Sequence, residues 1–195
     1  MDFNKIKSIL ETKTVGIAGC GGLGSNCAVA LARAGTGKLI ICDFDIIAES
    51  NLNRQYFFYD QIGMKKAGAL KENITRINPR IIIEAHDVKI DPENTVELFK
   101  PCDVIVEAFD HAEMKKMLIE TVLEKIPGIP LITGVGIAGW GNSNSIRVIQ
   151  IGNLYICGDG ISEVDEDHPP LAPRVGIAAN MQANTVLEIL LNNTV

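Results

Sequence analysis

The chain has 195 residues and a mass of 21.1 kDa, a length that suits one compact domain burying roughly 70% of the surface its unfolded form exposes. Hydrophobic residues make up 47% and charged residues 22%, which excludes a disordered chain. Its 18 basic and 24 acidic residues leave a formal charge of −6, which argues against broad electrostatic binding to nucleic acid or anionic membrane.

No stretch approaches the ~18–20 consecutive apolar residues of a spanning helix. The opening MDFNKIKSILETK lacks the apolar core of a secretory signal. Cys20, Cys27, Cys42, Cys102 and Cys157 form an odd set without a C-x-x-C pair. That pattern suits reduced thiols and offers no zinc site. The expectation is a cytoplasmic protein with one domain over residues 1–195, no zinc, and neither nucleic acid nor membrane as a partner.

A short amphipathic helix is expected first, then a buried strand at Thr14–Ala18 and the glycine cluster Gly19–Gly24. Ser25–Ala34 has helical patterning and stops at Gly35; Lys38–Cys42 is strand-like and ends on Asp43. Over 63–77, Ala67, Leu70, Ile74 and Ile77 share one helical face, ended by Asn78-Pro79. Arg80–Ala85 reads as a strand, 91–99 as a helix and Val104–Ala108 as a strand. Asp110 opens a helix with Met114, Met117, Leu118 and Val122 on one face, and Ile129–Thr133 is the fifth strand. The rhythm then changes: Asn144–Ile151 and Leu154–Cys157 flank Gly152-Asn153, a hairpin signal. The acidic Ser162–Pro170 reads as a mobile surface loop, and Arg174–Leu191 as a buried closing helix. Alternating strands and helices specify an α/β, Rossmann-like domain: a mainly parallel sheet with helices on both faces and antiparallel edge strands towards the C-terminus.

Gly19-x-Gly21-x-x-Gly24 lies between strand and helix, where glycines permit a tight turn and a helix N-terminus offers unpaired N–H groups to phosphate. Asp43, at the end of the second strand, is placed to hold ribose hydroxyls. These features fit NAD as well as ATP. Beyond Asp43 and Asp45 come Asn51, Arg54 and Lys66, a gathering that suits a triphosphate better than a nicotinamide cofactor. Arg supplies a planar fork of donors and Lys a compact charge. Taken singly, each has a plainer reading: Arg54 pairs with Asp60, and Lys66 is a solvated charge beside Lys65. Asp110 reads as the cap of a capping box with Glu113, and it also follows the fourth strand at the ligand-facing edge. His86, His111 and His168 fit no catalytic pattern, Trp140 reads as a packing residue, and Cys157 is the one thiol worth testing for reactivity.

The succession GCGGLGS, AGTGKLIICDFD, NLNRQ, GMKK with ITRINP, and EAFD resembles the ThiF/MoeB/HesA family, relatives of the adenylation domain of ubiquitin-activating enzymes. Its short length and the GNSNSIR…NLYICGDG segment resemble the compact ThiF-like members tied to thiamine biosynthesis. The resemblance implies an ATP- and magnesium-dependent adenylyltransferase acting on the C-terminal glycine of a small ubiquitin-like sulfur carrier ending in Gly-Gly. It also implies a homodimer. By the same resemblance Gly19, Gly21, Gly22 and Gly24 line the phosphates, Asp43 takes the ribose with help from Asp45, and Asn51, Arg54 and Lys66 hold phosphate. Asp110 is the magnesium-associated acid, and Arg54, Lys66 and Asp110 form the catalytic set. The chain departs from the family in lacking its two C-x-x-C zinc pairs, an arginine ahead of the first strand, and a cysteine beyond Cys157. Adenylation is therefore expected without a thioester or sulfur carried on this chain. The alternatives are an NAD-binding oxidoreductase and a non-catalytic nucleotide-binding adaptor.

Overall fold

The computed structural model describes residues 1–192. In chain order the elements are α1 (Phe3–Leu10), β1 (Thr14–Ala18), α2 (Gly22–Ala34), β2 (Lys38–Cys42), α3 (Lys66–Ile77), β3 (Ile82–His86), α4 (Pro92–Phe99) and β4 (Val104–Glu107). There follow α5 (Ala112–Lys125), β5 (Leu131–Gly134), β6 (Arg147–Ile151), β7 (Leu154–Gly158) and α6 (Ala172–Asn192). Seven strands make one sheet in the order β3-β2-β1-β4-β5-β7-β6.

The strands are apolar on both faces because helices cover both. Val15, Ile17, Leu39, Ile41, Val104 and Val106 point into a cluster with α2, α3 and α6. Their neighbours Ile40, Cys42 and Ile105 point the other way, onto Phe99 of α4 and Leu118 and Val122 of α5. Gly16 completes that second face: a Cβ there would lie 2.5 Å from the Phe99 ring.

β1 pairs in parallel with both β2 and β4. From β1 the chain winds outward through β2 and β3, then returns to β4 on the other side. The carboxyl ends of β1 and β4 therefore flank the point where an open α/β sheet forms a crevice.

Local details depart from the sequence reading. The helix after the glycine cluster starts at Gly22 rather than Ser25, so Gly22 and Gly24 lie inside its first turn. α3 starts at Lys66, and residues 143–145 form a 3-10 turn, so β6 begins only at Arg147. Of the hairpin strands only β6 is antiparallel to the sheet; β7 pairs in parallel with β5. His111, not Asp110, is the N-cap of α5, and no side chain caps that helix. The expected capping box is absent because Asp110 points to solvent, its side chain 89% exposed.

Candidate functional site: a glycine turn at the sheet switch point

The turn after β1 is shaped by close approach. Gly19 has φ +96°, and its N–H donates to the Cys42 carbonyl at 2.8 Å. A Cβ on Gly19 would stand 2.8 Å from the Ala108 carbonyl, and one on Gly24 only 1.8 Å from the Gly19 carbonyl. The turn is thus pressed against both the end of β4 and the first turn of α2. Gly21 is the N-cap of α2, with no side-chain cap and no acid in the first turn. The leading N–H groups of this 13-residue helix stay available to an anion.

Asp43 closes one wall of the crevice. Its carboxylate accepts from the Cys20 N–H at 2.6 Å and the Asp45 N–H at 2.8 Å. Burial pushes its pKa above the usual carboxylate value; those two N–H bonds and the charge of Lys66 offset this only in part. Each oxygen keeps a lone pair for a hydroxyl donor.

Lys66 and Arg54 supply the cations. The Lys66 side chain is 8% exposed, with Nζ 2.7 Å from Asp45 Oδ2, so it is a buried, paired charge and not a solvated neighbour of Lys65. Lys65 instead pairs with Asp87 at 3.2 Å. Arg54 does not pair with Asp60: its Nη1 donates to the Ser50 carbonyl and Asn53 Oδ1, at 3.1 and 2.8 Å. Its stem lies over Gly22, with Cγ 3.5 Å from where a Cβ would stand. Asn26 locks this arrangement by donating to both the Gly22 and Arg54 carbonyls. Asn51 holds the preceding turn by accepting the Ala48 N–H at 3.0 Å.

Asp110 follows β4, just past the residues that touch Gly19. Among the described residues its side chain meets the His111 ring, 3.8 Å away. Among the described residues no three His, Cys, Asp or Glu side chains gather as a metal cluster. An exposed acid beside a helix N-terminus open to anions has the chemistry that suits magnesium, which keeps water and needs few protein ligands.

Three groups escaped the sequence reading. Gln55 is buried, with Nε2 3.7 Å from the Cβ position of Gly21 and Oε1 unpartnered among the described residues. Glu107 is fully buried and bonded to Lys115 and Thr133; it opens the EAFD stretch quoted above but was given no role there. Arg174 and Asp159 form a buried ion pair at 2.5 Å, both side chains 4% exposed. Burial alone would raise the Asp159 pKa. Hydrogen bonds from the Ser162 hydroxyl and the Ile161 and Ser162 N–H groups, with the Arg174 charge, carry it below the usual value.

That ion pair underlies a cavity of about 570 Å³ whose walls include Trp140, Asn142, Glu163, His168 and Arg174. Trp140 is 67% exposed rather than buried in packing, and it stacks on His168 at 6.1 Å between ring centres. The loop 162–170 is tied down by Asp165 bonded to His168 and by the Gly139 N–H on the Pro169 carbonyl. Asn53 bonds the Pro170 carbonyl at 3.2 Å, and Val175 reaches Gly22, so the cavity lies next to the glycine turn. Cys157 is fully buried, and burial pushes its pKa to about 11, which disfavours the thiolate.

The adenylyltransferase and sulfurtransferase UBA4 of Eremothecium gossypii is 31% identical over 179 residues, 91% of this chain and 38% of the relative. The ubiquitin-like modifier-activating enzyme 5 of Gallus gallus is 30% identical over 197 aligned positions, 95% of this chain and 45% of the relative. The chain thus spans less than half the length of these curated relatives. Among solved structures, the tRNA N6-threonylcarbamoyladenosine dehydratase TcdA of E. coli, in complex with ATP, superposes with a TM-score of 0.87. That likeness, at 21% identity over 97% of this chain and 90% of TcdA, concerns the fold. The ThiF family model matches residues 4–195, and on that nearly complete match, over a sheet with its glycine turn at the switch point, the chain belongs to the ThiF family.

Proposed function

We propose that residues 1–195 form a single adenylation domain that uses ATP to activate the C-terminal carboxylate of a small ubiquitin-like sulfur carrier ending in Gly-Gly. The observation that carries the reading is the convergence of an uncapped α2 N-terminus, the Arg54 stem over Gly22 and the buried Lys66 beside Asp43. In this reading the glycine turn and the Arg54 and Lys66 charges hold the phosphates, with Asn51 fixing the Arg54 turn. Asp43 holds the ribose, and Asp45 keeps Lys66 in place.

The carrier carboxylate is already ionised at neutral pH, so the reaction needs no general base. A carboxylate oxygen bonds to the α-phosphorus, the bond from that phosphorus to the bridging oxygen breaks, and pyrophosphate leaves with its electron pair. The obstacle is bringing one anion to another. Fixed N–H donors and buried cations lower it, because they cost little reorganisation as charge shifts. Magnesium, which Asp110 would help hold, supplies further neutralisation of the phosphates. The cavity under Trp140 and His168 takes the carrier tail, covered by the loop 162–170.

The relatives named for adenylyl transfer and for ubiquitin-like modifiers support this reading of the domain. The finer proposal is a ThiS-like carrier in thiamine biosynthesis, handled by a cytoplasmic homodimer. Among the described residues no helix is long and apolar enough to cross a membrane.

The test is ATP–pyrophosphate exchange with and without a carrier ending in Gly-Gly. Exchange that requires the intact tail is expected. ATP binding without exchange for any carrier would replace the reading with a nucleotide-binding adaptor, and tight NAD binding without ATP binding with an oxidoreductase. A second substrate class is favoured by TcdA, a tRNA-modifying protein of which this chain covers 90%. ATP turnover driven by modified tRNA and not by a carrier would establish it, against the expectation from a net charge of −6.

A further inference from the structure

Between β4, β5 and α5 lies a polar knot that the proposed chemistry does not use. Glu107 is the last residue of β4, and its carboxylate is wholly buried. It collects the Phe109 N–H at 2.7 Å, the Thr133 hydroxyl and the Lys115 ammonium. Lys115 also donates to the Gly134 carbonyl at 3.1 Å, at the end of β5. The Glu107 carbonyl accepts from Gln182 of α6 at 3.1 Å. The apolar residues Leu118 and Val122 already secure α5 on the sheet. A buried ion pair is seldom more stable than a well-packed apolar pair, so stability alone gives little reason for this one.

Its geometry does give a reason. The Glu107–Phe109 bond folds the chain back on itself directly after β4, which sets where the next residue, Asp110, leaves the sheet. The same turn presses on Gly19: the Ala108 carbonyl and the Phe109 ring lie 2.8 and 3.2 Å from that glycine's Cβ position. One buried pair thus sets where the acid expected to hold magnesium leaves the sheet. We propose that Glu107 and Lys115 are positioning residues that set the Asp110 turn for a metal–nucleotide complex. The proposal rests on the reading that this cleft binds magnesium–ATP.

The informative variant is the apolar pair Glu107→Leu with Lys115→Met, which removes both charges together; it leaves the Thr133 hydroxyl and the Phe109 N–H without their acceptor, so a thermal melt checks that the fold is kept. Manganese uptake in the presence of ATP, read by paramagnetic resonance, is expected to weaken about tenfold, the usual scale for losing a partner that orients a metal ligand. ATP binding in excess chelator should be unchanged, and hydrogen exchange at the Phe109 amide should accelerate. Lys115→Arg alone, which keeps the pair with Glu107, should retain wild-type manganese–ATP affinity. Unchanged manganese–ATP affinity in the apolar variant, or an equal loss for metal-free ATP, would overturn the proposal. Wild-type protein that binds manganese–ATP but shows no exchange with any carrier would overturn the adenylation reading alone. Wild-type protein that binds no ATP would overturn both.

Discussion

The two sides of the cleft are built by different means. On the β1–β2 side, shape comes from tight backbone and closely held side chains: the Gly24 and Gly19 contact, the Asp43 carboxylate accepting two N–H groups, and Lys66 sunk to 8% exposure. On the β5–β7 side, shape comes from side chains reaching across loops: Arg174 to Asp159 and the Gly141 carbonyl, Asp165 to His168, Trp140 stacked outside. The first kind of wall leaves no room for a Cβ at Gly19 or Gly24. The second hangs on the buried Arg174–Asp159 pair, while Gly141 in the same wall has no atom within 4 Å of its Cβ position.

The contrast can be broken most forcefully at Arg174. Arg174→Met strips the buried Asp159 of its cation and should cost about 3–5 kcal/mol, the range for leaving one charge of a buried pair unpaired; denaturant melts would read it. Next comes a pair of glycine substitutions. Gly24→Ala forces a methyl into the Gly19 carbonyl and should cost about 3 kcal/mol. Gly141→Ala meets no atom within 4 Å and should cost only about 1–2 kcal/mol for its left-handed backbone, φ +71°. Equal costs at the two positions would erase the distinction between the walls.

Lys66→Ala should lower carrier-dependent exchange about 100-fold, the scale for removing a fixed electrostatic contact. A smaller effect is expected in acid. Because the folded-state pKa of Asp159 lies below its ordinary value, its contribution is present above that ordinary value and fades as pH falls through the lowered one. Asp159→Asn should therefore flatten the acid limb of a stability–pH profile. Smallest of all, iodoacetamide should leave the native thiols unlabelled, because all five cysteines are buried and burial raises their pKa values. Labelling at Cys157 alone would show that the β7 wall opens.

The sequence carried the first wall well, because its determinants are local: a glycine cluster between two periodic segments, then an acid after a run of apolar residues. It misplaced the start of α2, since glycine normally weakens a helix and nothing local shows that Gly24 is needed against the Gly19 carbonyl. The second wall was largely hidden. Arg174 finds Asp159 fifteen positions away, Glu107 finds Thr133 across two strands, and no periodicity encodes either meeting. Asp110 was expected to cap α5 from a four-residue pattern, but the turn held by Glu107 hands that position to His111. Trp140 was expected to pack, yet its ring lies on the surface over His168.

The parallel pairing of β7 with β5 has one more consequence. Since β6 runs outward and β7 returns, both loops that wall the cavity meet the hairpin at the carboxyl edge, while its Gly152-Asn153 tip stands at the opposite edge. The tip is exposed, and Gly152 has φ +59° with no atom near its Cβ position. Short two-residue tips of this kind are common sites for inserted sequence. A reporter or affinity sequence grafted between Gly152 and Asn153 would sit a full strand length from the chemistry, giving the protein a handle that leaves both walls of the cleft untouched.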